Sequence, residues 1–137
     1  MNRRSSPSET SALSLRAAFE VERAKRDAER RQREEAERQQ QEADLARSEQ
    51  LYDALIGDPA FLSAHGLTVD WRRYTVLLES AEFRIRAYFE AGEAVITIGD
   101  KRSVSVSGSP APRKREVVNS VAEALRVVAE FLVDEIP

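Results

Sequence analysis

Cysteine is absent from the chain, which excludes a disulfide framework and thiolate chemistry and leaves the protein indifferent to the redox poise of its compartment. Histidine occurs once, as His65, so neither a His-metal cluster nor a second catalytic imidazole can be assembled. Apolar runs never exceed a few residues, and the first ten, MNRRSSPSET, are polar and Arg- and Ser-rich. Neither a signal peptide nor a membrane span is readable, and the expectation is a cytoplasmic protein that does not enter membranes. Charge of one sign is also lacking: 21 basic residues oppose 24 acidic ones for a net charge of −3. That balance argues against wholesale binding to nucleic acid or anionic membrane, which usually takes a basic domain, though it leaves room for a local basic patch.

Glycine and proline are missing from one long stretch, Ser11 to Ile56, and charge fills it. Glu20 to Gln50 holds 8 basic and 10 acidic residues in 31 positions, a composition of long helices rather than of cores. Leu13, Ala17, Val21, Ala24 and Ala28 recur at spacings of three and four, which gathers them on one helical stripe suited to oligomerisation. Continuing that seam meets Arg31, Glu35, Arg38 and Glu42 before Leu45, Tyr52 and Ile56, and four successive charged seam positions disfavour a continuous two-stranded coiled coil. Pairs along the helix, Glu22 with Arg26, Arg23 with Asp27, Asp27 with Arg31, Arg30 with Glu34, Arg33 with Glu37 and Glu34 with Arg38, each contribute about 0.2–0.5 kcal/mol and support a solvated helix. The expected organisation is a disordered arm over residues 1–10, the charged helix as spacer or conditional coiled coil over 11–57, and a small α+β domain over 58–137. Gly57 is expected in a left-handed position closing the helix, with Asp58 and Pro59 opening a short one that Gly66 ends.

Beyond Gly66 the hydrophobic period changes to two. Strands are expected near 73–79, 83–90, 94–99 and 103–107, forming a four-stranded antiparallel meander. Two-residue links at Ser80-Ala81 and Ala91-Gly92 place Val76 opposite Ile85 and Ile96 opposite Ala87. A three-residue link, Asp100 to Arg102, keeps Val104 and Val106 on the face of Tyr74, Val76, Leu78, Phe83, Ile85, Ala87, Phe89, Ala94, Ile96 and Ile98. A C-terminal helix with a stripe of Val118, Val121, Leu125, Val128 and Leu132, widened by Val117, Ala124 and Phe131, is expected to cover that face on one side. Ser120 and Glu123 have the spacing of a capping box. Leu125→Asp is expected to unfold the domain.

Two surfaces carry the functional expectations. Outward positions of the meander, Leu77, Arg84, Arg86, Tyr88 and Val95, with Trp71 on the same parity, mix aromatics and arginine as protein interfaces do, although the helix end around Leu45, Leu51 and Leu55 is an alternative cover for them. Lys101 and Arg102 in a hairpin loop, with Arg113, Lys114 and Arg115 after the Gly108 to Pro112 linker, form a basic cluster that is a solvated linker or an anchor for an acidic protein or nucleic acid. His65, beside Gly66, is read as a cation at a helix C-terminus. No carboxylate pair, metal cluster or cofactor motif is present, so no catalytic, metal or cofactor residues are assigned. The leading expectation is a non-enzymatic protein-binding or scaffolding adaptor that engages a protein partner, or a second copy of itself through the N-terminal helix. The alternative is a nucleic-acid-associated accessory protein using the basic cluster.

Overall fold

A computed structural model of the chain describes residues 14–104 and 110–137. The expected arm over 1–10, Leu13 of the helical seam and Val106 of the last expected strand lie outside them. The protein is α+β: a long N-terminal helix, a short helix, a five-stranded antiparallel sheet and a C-terminal helix. Two units are distinguished, with the boundary between Gln39 and Gln40 inside the long helix.

Helix α1 spans Leu15–Leu55 and is capped by Ser14, whose Oγ accepts from the Ala17 N–H. In its first unit the side chains are mostly exposed and charges meet along the helix. Arg30 lies 3.6 Å from Asp27 and 4.0 Å from Glu34, so the expected Arg30–Glu34 pair forms, while Asp27 meets Arg30 one turn on. Hydrogen bonds from Arg38, then from Gln39, hold the Glu35 carboxyl below its ordinary value.

The second unit, from Gln40, is built around the sheet. After α1, helix α2 spans Pro59–Ala64, with Asp58 as N-cap accepting from the Phe61 N–H at 3.1 Å and proline in the first turn. Gly66 has φ 63, as its turn requires, but Gly57 is not left-handed, which corrects its expected role. The chain there turns through hydrogen bonds from the Ile56 and Gly57 N–H groups to Tyr52 and Ala54 carbonyls.

Strands β1 (Thr68–Arg72), β2 (Thr75–Glu79), β3 (Phe83–Glu90), β4 (Glu93–Val104) and β5 (Pro110–Val118) lie in sequence order, every pair antiparallel. The expectation of four strands is corrected at both ends of the sheet. The β1–β2 turn has Arg73 at φ 55, a left-handed residue without the Gly or Asn that advertises such turns, so β1 gives no local signal. At the other end β4 runs on through the supposed loop Asp100 to Arg102, and Pro110 to Pro112 of the supposed linker begin β5, Gly108 and Ser109 lying outside the described residues. Proline is tolerated there because β5 is an edge strand.

The β3–β4 register matches expectation, Ala87 facing Ile96. The β2–β3 pairing closes with Glu79 opposite Arg84, four residues lying between them rather than two, so Val76 faces Ala87 and Leu78 faces Ile85, a shift of two that preserves the facing of every side chain. Val76, Leu78, Phe83, Ile85, Ala87, Phe89, Ala94, Ile96 and Ile98 are buried on one face. Helix α3, Val121–Glu135, covers them with Ala124, Val127, Val128, Phe131 and Leu132, capped by Ser120, which accepts from the Glu123 N–H. Its buried stripe is rotated from the expected one: Leu125 is 38% exposed, so the premise that Leu125 is a core residue is corrected, and Val127 takes its place.

The C-terminal part of α1 lies over the same face as α3. Leu51 is fully buried in the common core, with Tyr52 and Leu55 partly buried against it. Each large apolar residue fully buried here contributes roughly 1.5–3 kcal/mol. Two buried polar residues fix this segment. Asp44 accepts from the Ala91 and Gly92 N–H groups at 2.9 and 3.0 Å and from Gln40 Nε2 at 3.1 Å. One turn on, Ser48 donates to the Arg73 carbonyl and accepts from Trp71 Nε1.

Candidate partner-binding site

Because α1 and α3 share one face of the sheet, the other face has no helix over it among the described residues of the second unit. Strand pairing arranges its side chains in rows: Asp70, Leu77, Arg86, Thr97 and Arg115 in one, and Arg72, Thr75, Tyr88, Val95 and Val117 in the next. Leu77, Tyr88 and Val95 are half-buried by their neighbours in the face, while Val117 is 44% exposed. The Arg86 guanidinium lies 5.1 Å from the Tyr88 ring centroid. Tyr88 donates its hydroxyl to Glu90 at 3.1 Å, and that bond raises its pKa above the ordinary 10.0. The apolar centre of this face is edged by arginine and tyrosine, residue types enriched at protein interfaces.

At one margin Glu79 joins Arg84, at 3.0 Å, and Lys101, at 2.9 Å. Burial pushes the Glu79 carboxyl up, but the hydrogen bonds from Lys101 and then Arg84 outweigh it and leave the pKa below the ordinary 4.5. Arg84 and Lys101 are therefore engaged. Among the described residues Arg86 and Arg115 make no ion pair, and they are the cations this face offers a partner.

Leu77, Arg84, Arg86, Tyr88 and Val95 share this face as expected. Trp71 does not. It pairs with Val76 on the core side, stacks on Tyr52 with ring centroids 5.7 Å apart, and donates to Ser48 and to the Arg73 carbonyl. The expected outward parity requires one strand running through Arg73, but the chain turns there, between β1 and β2. Val117, expected in the core band, is on the open face instead. Nor does the helix end cover that face, since Leu51 and Leu55 pack on the core side.

No protein-family model matches the chain. Neither the curated proteins nor the solved structures provide a match.

The basic cluster is dispersed by the fold. Lys101 meets Glu79, Arg102 meets Glu82 at 3.4 Å, Arg113 meets Glu135 at 2.7 Å and Asp100 at 3.8 Å, and Lys114 meets Asp134 at 2.7 Å. Burial opposes the charge on Arg113, but the stronger hydrogen bond to Glu135 raises its pKa. Arg113 and Lys114 thus tie the edge strand to the end of α3 instead of crowding its start. Only Arg115 of the five is without an ion pair among the described residues, and it belongs to the open face. Of the helical seam, Val21 is 65% exposed, Ala24 is exposed, and Ala17 and Ala28 are partly covered.

Sequence reasoning missed an open, apolar groove of about 480 Å³ where α2 meets α3, with Leu55, Phe61, Leu62, Leu125 and Val133 among its walls. The exposed half of the α3 stripe was its only signal. His65 caps α2 and packs on Phe61, ring centroids 4.7 Å apart, which accounts for it structurally. Among the described residues no helix is long and apolar enough to cross a membrane.

Proposed function

We propose that the chain is a non-enzymatic, cytoplasmic adaptor or scaffolding protein whose sheet engages a polypeptide partner and whose long helix acts as spacer or self-association arm. One observation supports the reading: the end of α1 from Gln40 and helix α3 pack on one face of a five-stranded sheet, and among the described residues of the second unit no helix covers the face of Leu77, Arg86, Tyr88, Val95, Arg115 and Val117. Its two unpaired arginines beside a tyrosine and aliphatic side chains favour a partner segment that combines acidic and apolar residues. The basic-cluster alternative, a nucleic-acid accessory role, has less support because four of its five cations already meet acids.

A photo-crosslinking residue at Val95, inside cells, tests the proposal. The expected result is a discrete adduct that disappears when Arg86 and Arg115 are both changed to Glu and that an acidic competitor peptide reduces. Absence of an adduct, or an adduct indifferent to that double charge reversal in a protein of unchanged circular dichroism, overturns it. Nucleic-acid binding with a log-log salt slope near −0.9 per neutralised phosphate would favour the alternative.

A further inference from the structure

The open helical surface of the first unit differs from the sheet face in being charge-ordered along its length. Arg23 to Arg33 contains six basic and two acidic residues, whereas Glu34 to Arg38 contains three acidic and one basic. Local pairing leaves that order intact: among the described residues Lys25, Arg26, Arg31 and Arg33 make no ion pair. Apolar side chains on the same helix are also uncovered, Leu15 being 87%, Phe19 57% and Val21 65% exposed. Where the two blocks meet, a shallow open groove runs along the helix between Ala28 and Gln39, past Arg31, Gln32 and Glu35.

We propose that this helix pairs with the same helix of a second copy in antiparallel orientation, about a two-fold axis beside Arg33. The inference deepens the self-association arm of the function proposed above. Its basis is charge complementarity. In a parallel, in-register pair the seam sets Arg31 against Arg31 and Glu35 against Glu35, which is repulsive at every charged level. Reversing one copy sets Arg31 against Glu35 twice, related by the dyad, and brings Glu34, Glu35 and Glu37 of each helix alongside residues 29–32 of the other, which include Arg30 and Arg31. The interface is then isologous and closes at two copies. The charged seam, which disfavours a continuous two-stranded coiled coil, in this local pairing selects orientation, as polar seam and flanking residues do elsewhere.

A cysteine-free chain makes the test direct. Single cysteines are placed at Gln32 and at Ala24, leaving every charge in place. At ~1.5 Å rise per residue, antiparallel pairing about Arg33 puts the two copies of position 32 about 3 Å apart along the axis and those of position 24 about 27 Å apart. Gln32→Cys is expected to cross-link to itself and Ala24→Cys is not, and sedimentation of the parent chain is expected to show a dimer whose Kd rises at least about tenfold between 50 mM and 500 mM salt.

Charge reversal gives the second arm. A variant with Glu34, Glu35 and Glu37 changed to Lys, and another with Arg30, Arg31 and Arg33 changed to Glu, are each expected to be monomeric and to associate when mixed. Equal cross-linking at both cysteine positions overturns the orientation. A parent chain monomeric up to roughly 1 mM, at the weak end of specific association, or either charge variant dimerising like the parent, overturns the pairing itself. Circular dichroism at 222 nm checks that the variants remain helical. Loss of the Val95 adduct leaves this result untouched, and a monomeric parent leaves the sheet face untouched, so the two proposals fail separately.

Discussion

Asp44→Ala removes a carboxylate that is 3% exposed and accepts hydrogen bonds from two consecutive backbone amides of the β3–β4 turn. Hydrogen bonds to a charged group contribute about 1.5–3 kcal/mol each. Ala91 is itself exposed, so water can recover part of that loss. The net destabilisation is therefore about 2–4 kcal/mol, a large share of the ~5–15 kcal/mol of a typical domain. For a unit of about a hundred residues this corresponds to a fall in Tm of roughly 10–20 °C. Asp44→Asn keeps the shape and one acceptor but turns an NH2 toward the other amide, so an intermediate loss of about 1–2 kcal/mol is expected. The measurement is thermal and urea unfolding of both variants in the full chain, with amide exchange at Ala91 and Gly92 as the local readout. An Ala variant melting within about 2 °C of the parent would refute the reasoning that this helix segment is fastened to the hairpin through Asp44.

Three further outcomes follow from the same geometry. Val128→Asp places a charge at a position 1% exposed, whereas Leu125 is 38% exposed, so the first should abolish cooperative unfolding and the second should cost less than about 1.5 kcal/mol; equal losses would contradict the rotated stripe of α3. Ala91 has φ 53, a left-handed conformation that costs an ordinary residue about 1–2 kcal/mol, so Ala91→Asn should raise the urea midpoint by the equivalent of about 0.5–1 kcal/mol, and a lowered midpoint would argue against that turn. Glu79 has a depressed pKa, so its stabilising contribution is complete above the ordinary carboxylate range and is lost as pH falls through the folded-state value. The stability gap between the parent and Glu79→Gln should accordingly be full at pH 7 and shrink progressively as pH falls below the ordinary carboxylate range; a gap that does not change with pH would refute the ionic account.

Legibility followed the reach of each signal. The alternation of β3 from Phe83 to Glu90 is visible because one face is wholly apolar, and the capping box of α3 is visible because it needs only Ser120 and Glu123. Strand β5 is hidden because its core-side positions include Lys114 and Glu116, charges that an edge strand accommodates: Lys114 pairs with Asp134 at the end of α3, and Glu116 lines a shallow cleft with Arg126. Its prolines completed the disguise. Strand β1 was hidden by a tight turn built on Arg73, and Trp71 was assigned the wrong side as a consequence. The outward row of Leu77, Arg86, Tyr88 and Val95 survived a two-residue error in β2–β3 register because parity is unchanged by an even shift. Whether that row was covered could not be read locally, since it depends on which face the end of α1 chooses, and the choice is made by Leu51, Ser48 and Asp44 together with turns more than twenty residues away.

Asp44 and Ser48 stand one helical turn apart, and the groups they hold, the Ala91 and Gly92 amides and the Arg73 carbonyl, belong to two different hairpins. The helix therefore works as a gauge that checks the separation of two turns. A single residue inserted between Asp44 and Ser48 rotates one contact by about 100° relative to the other, so that neither hairpin can be satisfied without releasing its neighbour. Length variation in this protein is consequently forbidden over that one turn, while whole-turn changes upstream of Gln40 encounter no such check.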